Sequence, residues 1–136
     1  MTAALHTIRD IYISMEQGNI GKLVIALEDT VWVYTAQCMG GNRQGREGIL
    51  QLVPAFYRPG TGIQKIAAHF FVQGSLVIVM GNIQITPPGI VINPIPFADV
   101  WSFEDNTIRS VIFYYRDPQE LYDYLETYLA GWPGRP

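Results

Sequence analysis

The chain has 136 residues, its net charge is −3 at pH 7, and only 15% of its residues are charged. The length is typical of one domain with a substantial core, so we predict a single domain over residues 1–136. Nine Lys and Arg residues without a basic cluster argue against nucleic-acid binding. Because so little of the surface can be charged, we expect a second copy of the chain to cover apolar surface in a homodimer.

Cys38 is the single cysteine, which excludes an intramolecular disulfide and a zinc site built from cysteines. The apolar runs Leu76–Met80 and Gly89–Ile92 are far too short to span a bilayer. The first ten residues lack the charged start and apolar stretch of a signal peptide. We therefore expect a cytoplasmic protein that is not inserted in a membrane.

The first half of the chain has mainly helical patterns. Apolar residues at helical spacing predict a helix over residues 3–17, with Thr2 as its cap and Gly18 at its end. A short second helix follows, and Thr30–Ala36 is rich in β-branched and aromatic residues, which favours a strand. After a glycine-rich loop, Arg46–Tyr57 is predicted as a third helix that Pro54 bends or shortens.

The second half has the patterns of an antiparallel sheet. We predict two hairpins with strands at Ile63–Val72, Leu76–Thr86, Ile95–Phe103 and Thr107–Tyr115. The second strand should end at Pro87-Pro88-Gly89. Asp117, Pro118 and Glu120 form a capping-box pattern, which predicts a final helix running to about Ala130. Helices followed by a meandering sheet indicate an α+β domain.

Four segments together resemble the nuclear transport factor 2-like superfamily: GNIGKLVIALEDTVWVYTA (18–36), GREGILQLVPAFY (45–57), PFADVWSF (96–103) and IRSVIFYYRDP (108–118). Within it, the chain is most similar to SnoaL-like polyketide cyclases and ketosteroid isomerases, over about residues 4 to 118. The resemblance implies three N-terminal helices packed on a strongly curved, cone-shaped antiparallel sheet, with a C-terminal helix added. It also implies an apolar cavity and a dimer formed through the outer face of the sheet.

Asp99 is a carboxylate in an aromatic strand. Strand alternation places it on one face with Phe97, Trp101 and Phe103, and we expect this face to line the cavity. Desolvation there would raise the pKa of the carboxyl group. Resemblance to ketosteroid isomerases implies a protonated acid that donates a hydrogen bond to an oxyanion. The alternative is a structural Asp99 bound to a neighbouring tyrosine or backbone group, and both remain open.

Four residues are candidate partners of Asp99 in catalysis. In ketosteroid isomerases the general base is an aspartate near the end of the first strand, and the matching position here is Thr35 or, with a shift of one residue, Tyr34. Neither is a carboxylate, which argues against steroid-type isomerisation. His69 would be the available base if it faced inward, although a surface position is equally compatible with its strand. Tyr115 could donate a hydrogen bond at the cavity mouth or simply pack.

The remaining predicted site residues would bind the ligand. The family's tyrosine on the first helix matches Ile11, one residue from Tyr12, so Tyr12 either lines the pocket or packs in the core. We expect Asp99 to contact Tyr12, Tyr34 or Tyr115. The two histidines are far apart and lack acidic residues at ligand spacing, which argues against a metal site. Aromatic residues of the strands should line the pocket: Trp32, Phe97, Trp101 and Phe113.

Two functions follow from these residues. In the first, the protein is a cofactor-free isomerase, cyclase or hydrolase that acts on an apolar, polycyclic or terpenoid-like substrate by acid–base chemistry. In the second, the cavity binds a small apolar molecule without chemistry, or the fold serves as a dimeric scaffold. The sequence leaves the choice between them, and the identity of the ligand, open.

Overall fold

The computed structural model describes residues 2–58, 60–86 and 94–128, and these ranges form an α+β structure built on a curved sheet. The α+β fold class predicted from the sequence is confirmed. The helices are α1 (Ala3–Glu16), α2 (Gly21–Ala26), α3 (Arg46–Leu52) and α4 (Pro118–Tyr128), with 3₁₀ segments at Gln37–Met39 and Val53–Tyr57. The strands are β1 (Trp32–Tyr34), β2 (Arg43–Gln44), β3 (Ile63–Gln73), β4 (Leu76–Ile85), β5 (Ile95–Glu104) and β6 (Thr107–Tyr115).

The sheet has the strand order β2-β1-β6-β5-β4-β3. Strands β3 to β6 form an antiparallel meander, while β1 pairs in parallel with β6 and extends the sheet beyond it. Apolar residues of α1, α3 and the inner sheet face form one core. The long strands β3, β4 and β5 therefore present their inner side chains to the first helix.

Helix α1 packs over the inner face of the sheet. Thr2 caps its start, because its hydroxyl accepts a hydrogen bond from the Leu5 amide at 3.1 Å. Ile8, Ile11 and Tyr12 recur at helical spacing and are buried. The helix ends at Glu16, close to the predicted end, and its last turn lies beside the start of β3.

Helix α3 is shorter than the predicted helix over Arg46–Tyr57. It ends at Leu52 and continues as the 3₁₀ segment Val53–Tyr57. Pro54 has no amide hydrogen to donate back into the helix, so the chain tightens here, as the proline indicated. This segment brings Phe56 and Tyr57 towards β3, where they become part of the site described below.

Strand β3 contains a β-bulge that changes which side chains face inward. Ala67 pairs with Gly81, but the next pair is His69 with Met80, so Ala68 is the extra residue. Before the bulge Lys65 faces inward, and after it His69 faces outward. A strand without the bulge would place these two side chains on the same face.

The predicted β5–β6 turn and the predicted cap of α4 are both present in the structure. Asp105 and Asn106 adopt φ values of 52° and 62°, which closes the β5–β6 hairpin as a tight turn. Asp117 caps α4 by accepting a hydrogen bond from the Glu120 amide at 3.0 Å. The predicted strand end at Pro87-Pro88-Gly89 and the helix end at Ala130 are not among the described residues.

Candidate functional site

Asp99 lies in the middle of β5, on the inner face of the sheet. Its neighbours across the strands are Val79 on β4 and Phe113 on β6. No part of its side chain is exposed to solvent. Alternation along β5 therefore places this carboxylate inside the apolar core, where it needs partners of its own.

Lys65 is the ionic partner of Asp99. It precedes the bulge of β3, shares the inner face with Ile63, and is 1% exposed. Its Nζ lies 2.7 Å from Oδ2 of Asp99. Four aromatic rings surround the same Nζ, with centroids at 4.5 Å for Phe97, 5.1 Å for Phe113, 5.2 Å for Phe56 and 5.9 Å for Tyr115. An ammonium group is stabilised by such ring faces when water is excluded.

Tyr12 of α1 gives Asp99 its second partner. Its hydroxyl donates a hydrogen bond of 2.5 Å to Oδ2, the oxygen that also contacts Lys65. The indole Nε1 of Trp101 in turn donates to the Tyr12 hydroxyl at 3.0 Å. Helix α1 is thereby linked to strands β3 and β5 through one carboxylate oxygen.

Burial and pairing act in opposite directions on the two ionisable groups. Burial raises the pKa of the Asp99 carboxyl group, while Lys65 and the Tyr12 hydrogen bond lower it. Burial lowers the pKa of the Lys65 ammonium, and Asp99 raises it. The net shifts are upward for Asp99 and downward for Lys65, so the two pKa values approach each other. Transfer of a proton from Lys65 to Asp99 is therefore less costly than it would be between the two groups in water.

Further polar atoms near this pair are buried and have no hydrogen-bond partner within the described ranges. They are Oδ1 of Asp99 and the hydroxyls of Tyr57 and Tyr115. Burial raises the pKa of both tyrosines, and the charge of Asp99 adds to the effect. Both side chains therefore stay protonated at neutral pH and are hydrogen-bond donors. Buried donors and acceptors without partners are uncommon, which points to a place where a polar ligand group can bind.

A pocket of about 450 Å³ leads towards this cluster from the surface. It lies between the last turn of α1, the 3₁₀ segment Val53–Tyr57 and the first residues of β3. Lys65 is one of its lining residues and is only 1% exposed, and we call it the floor of the pocket for that reason. The other lining residues are Glu16, Gln17, Gly18, Phe56, Tyr57, Arg58, Gly60, Gly62, Ile63, Gln64, Gln84 and Thr86.

Several predicted site residues lie elsewhere. Trp32 is 41% exposed and stacks on Tyr34 on the outer face of β1, because Val33 is the inward residue of that strand. Their expected place in the cavity is therefore wrong. His69 is exposed and stacks on Phe71, because the bulge at Ala68 turns it outward.

Thr35, at the end of β1, is half-buried, and its amide donates to Asn42. It lines a separate pocket of about 350 Å³ that it shares with Tyr34 and with one wall formed by Tyr115. The structure does not bring it to the Lys65–Asp99 pair.

The predicted residues of β5, β6 and α1 do come together. Phe97, Trp101 and Phe113 are buried on the inner face, and Tyr115 lies beside them. Of Tyr12, Tyr34 and Tyr115, it is Tyr12 that forms a hydrogen bond with Asp99. The rings pack around the Lys65–Asp99 pair below the open pocket, rather than lining it.

Sequence reasoning missed Lys65, Phe56 and Tyr57. A signal for Lys65 was present, because it alternates with Ile63 and Ala67 and thus shares an apolar face, as Asp99 does. Phe56 and Tyr57 had no such signal. They point to the site because the chain tightens into a 3₁₀ segment after Leu52, and a regular helix would have distributed them differently.

The described residues contain no group of His, Cys, Asp and Glu side chains that could hold a metal ion. None of the helices in the described part of the chain is both long and apolar enough to cross a membrane.

Comparisons with known proteins identify the fold. No family model and no curated protein matches the sequence. Among solved structures, a nuclear transport factor 2-like protein of unknown function from Burkholderia pseudomallei is 18% identical, with a TM-score of 0.72 over 96% of this chain and 100% of its own. TerC, co-crystallized with polyporic acid, is 17% identical, with a TM-score of 0.70 over 92% of this chain and 99% of its own.

A third similar structure is Bal32a, from a soil-derived mobile gene cassette. It is 15% identical, with a TM-score of 0.72 over 89% of this chain and 95% of its own. The chain therefore has the nuclear transport factor 2-like, or cystatin-like, fold that its sequence resembled. At these identities the likeness establishes the fold alone.

Proposed function

We propose that the protein binds a small organic molecule in the pocket above Lys65, with an apolar body and an oxygen group that faces the lysine. The observation that carries this proposal is a buried lysine that lines a pocket and whose ammonium group is held in place by Asp99. An ammonium group donates hydrogen bonds and accepts none, so it selects carbonyl or carboxylate oxygens. Phe56 and Ile63 supply apolar walls for the rest of the ligand.

A structural neighbour supports the idea that this fold accommodates an organic acid. TerC was co-crystallized with polyporic acid. In the present chain an acidic or carbonyl group would find Lys65, with the buried Tyr57 hydroxyl on the same pocket wall. The proposed ligand thus adds an oxygen group to the apolar, polycyclic or terpenoid-like molecule expected from the sequence.

Acid–base catalysis is the second candidate function. Its support is the Lys65–Asp99 pair, in which a proton can move between the two partners, together with the unpaired hydroxyls of Tyr57 and Tyr115. Lys65 would then be the catalytic acid or base, and Asp99 would position it. The role of an oxyanion donor thus passes from Asp99, which the pocket does not reach, to Lys65 and Tyr57, which line it. Steroid-type isomerisation remains disfavoured, because position 35 is a threonine and not the aspartate base of ketosteroid isomerases.

Binding of three matched compounds tests the first function. We expect 2-naphthoic acid and 2-acetylnaphthalene to bind more tightly than naphthalene, measured by isothermal titration calorimetry. A hydrogen bond to a charged group contributes about 1.5–3 kcal/mol, so the difference should be at least about tenfold in Kd.

The double variant Lys65→Met/Asp99→Asn removes both charges and should abolish the preference for the oxygen-bearing compounds. Lys22→Met, at an exposed position of α2, is the matched control and should bind like the wild type. Equal affinity of the wild type for all three compounds would contradict the assignment of Lys65 as the ligand contact.

The outer sheet face supports a proposal of a homodimer. Met80, Ala98 and Tyr114 lie side by side across β4, β5 and β6, and Met80 and Tyr114 are exposed. Phe71 and Trp32 extend this apolar face on β3 and β1. A contiguous apolar face of this kind is typical of an interface.

Sedimentation velocity tests the dimer. At micromolar concentration we expect the mass of two chains, and Tyr114→Glu, which places a charge in the middle of the face, should give the mass of one. The exposed residue Ile25 on α2 lies outside the sheet, and Ile25→Glu should leave the dimer intact. A wild-type monomer at these concentrations would refute the proposal. The cytoplasmic location expected from the sequence stays a prediction.

A further inference from the structure

We infer that Lys65 is a nucleophilic amine that condenses with an aldehyde or ketone group of the bound molecule to form a protonated Schiff base. The inference rests on the proposed function, because the carbonyl compound must first bind in the pocket above Lys65. It goes beyond that function in naming a covalent step and restricting the ligand to carbonyl compounds. Carboxylic acids would bind at the same place without reacting.

The surroundings of Lys65 fit an amine that reacts rather than one that is solvated. Its side chain is 1% exposed, and the nitrogen lies among the rings of Phe56, Phe97 and Phe113. A lysine desolvated in an apolar pocket is a better nucleophile than a surface lysine, because less of it is held as the hydrated ammonium. The position of Nζ is fixed by the carboxylate of Asp99 at 2.7 Å.

Asp99 can accept the proton that the Lys65 ammonium must lose before it reacts. Lys65 must lose a proton before its lone pair can attack, and Oδ2 of Asp99 is already in hydrogen-bond contact with the nitrogen. Burial brings the pKa values of the two groups closer together, which makes this internal transfer less costly. Asp99 does not touch the ligand, so it acts as a positioning residue and local proton acceptor.

The atoms and charges of the step balance within the pair and the ligand. The ammonium gives one proton to Asp99, and the nitrogen forms a bond to the carbonyl carbon as the C=O π electrons move to oxygen. That oxygen takes up two protons from the nitrogen, which recovers one of them from Asp99, and it leaves as water when the C–O bond breaks. The products are an iminium ion on Lys65, the Asp99 carboxylate and one water molecule, so no other reactant is required.

Two hydroxyls are available for the oxygen that becomes negative during the attack. Those of Tyr57 and Tyr115 are buried and have no hydrogen-bond partner among the described residues. Tyr57 lines the pocket together with Lys65, whereas Tyr115 lies behind Lys65, outside the lining, with its ring 5.9 Å from Nζ. Both remain protonated at neutral pH, because burial raises their pKa values. Hydrogen-bond donors near a developing oxyanion are what carbonyl addition needs.

The chain offers a clean test, because Lys22 and Lys65 are its only lysines. The probe is benzoylacetone, a β-diketone that condenses with a neutral amine to give a stable enaminone that absorbs in the near ultraviolet. Intact-mass measurement reports the addition of one probe with loss of one water. Peptide mapping then assigns the adduct to Lys65, Lys22 or the terminal amine within the same wild-type molecule.

We expect one adduct, on Lys65, formed at least about tenfold faster than any adduct on Lys22. Lys22→Arg should react like the wild type, and Lys65→Arg should not form the adduct, with circular dichroism to confirm its folding. Saturating 2-naphthoic acid, which binds in the pocket but cannot condense, should slow the reaction.

Three results would overturn the inference: equal labelling of Lys22 and Lys65, labelling of the terminal amine alone, or absence of any adduct. If 2-naphthoic acid binds but benzoylacetone does not label Lys65, the covalent step fails and the proposed binding function stands. If neither compound binds, the proposed function fails with it. The site comparison in the wild-type protein keeps the test decisive even if Lys65→Arg does not fold.

Discussion

Replacing Lys65 by methionine should lower the free energy of unfolding by about 3–5 kcal/mol, because it leaves the Asp99 carboxylate buried without its countercharge. Methionine has a similar length and apolar character, so it keeps contact with the rings around the site. The loss is therefore electrostatic rather than a loss of packing. Urea unfolding followed by circular dichroism measures it, and Lys22→Met is the matched control, expected to change stability little.

The double variant Lys65→Met/Asp99→Asn separates the ion pair from the packing. It has no buried charge, so it should recover much of the stability that the single variant loses. If Lys65→Met were as stable as the wild type at neutral pH, the ion pair would not exist in solution. If the single and the double variant lost the same free energy of unfolding, the loss would come from removal of the lysine side chain alone.

The pH dependence of Lys65→Met follows from Asp99. Burial raises the folded-state pKa of this carboxyl group, and without Lys65 the main influence that lowers it is gone. The folded protein then binds this proton more tightly than the unfolded chain does. The destabilisation must therefore grow as pH rises from the unfolded pKa through the raised folded pKa, and shrink in acid. Tyr12, Tyr57 and Tyr115 stay protonated over this range and do not reverse the sign.

Gly81→Ala should be severely destabilising, through a clash at the bulge that orients Lys65. A Cβ built on Gly81 would lie 1.9 Å from the carbonyl oxygen of Ile66 and 3.0 Å from the Phe97 ring. The nearer atom belongs to the backbone of β3, so only a shift of the strand pairing can relieve the contact. Destabilisation above about 4 kcal/mol is exceptional for a single substitution, and we expect a value in that range or failure to fold.

Gly21→Ala is the control for Gly81→Ala. The Cβ at residue 21 would meet the side-chain oxygen of Asn19 at 3.0 Å, and a side chain can move away. Alanine also favours the helical backbone of α2 over glycine. Thermal unfolding should thus show little change for Gly21→Ala. A Gly81→Ala protein with wild-type stability would mean that β3 and β4 do not pair as described at Ala67.

Alternation along a regular strand could be predicted from the sequence, and it placed Asp99 correctly. β5 is regular from Phe97 to Trp101 and has one aromatic face, so alternation assigns Asp99 to that face. The same rule left the face of His69 open on β3, where the bulge at Ala68 reverses the alternation between Lys65 and His69. A bulge is set by pairing with Gly81 on another strand, and local sequence does not reveal it.

β1 shows a second limit of the sequence pattern. Trp32, Val33 and Tyr34 are all apolar or aromatic, so alternation cannot tell which face is buried. The small Val33 packs against the core beside Val111 of β6, and the two aromatic rings lie outside. The outer face is apolar as well, which is why aromatic character alone misplaced Trp32.

Selective ¹³C,¹⁵N-labelling of lysine gives the most direct test of the central claim, that Lys65 is the ligand contact at the floor of the pocket. The spectrum has one set of side-chain signals for Lys65 and one for Lys22, assigned with Lys22→Arg. On titration with 2-naphthoic acid, the account predicts a saturable shift of the Lys65 signals and unchanged Lys22 signals. Lys65 signals that stay in place while the acid binds, or equal shifts at both lysines, would contradict it.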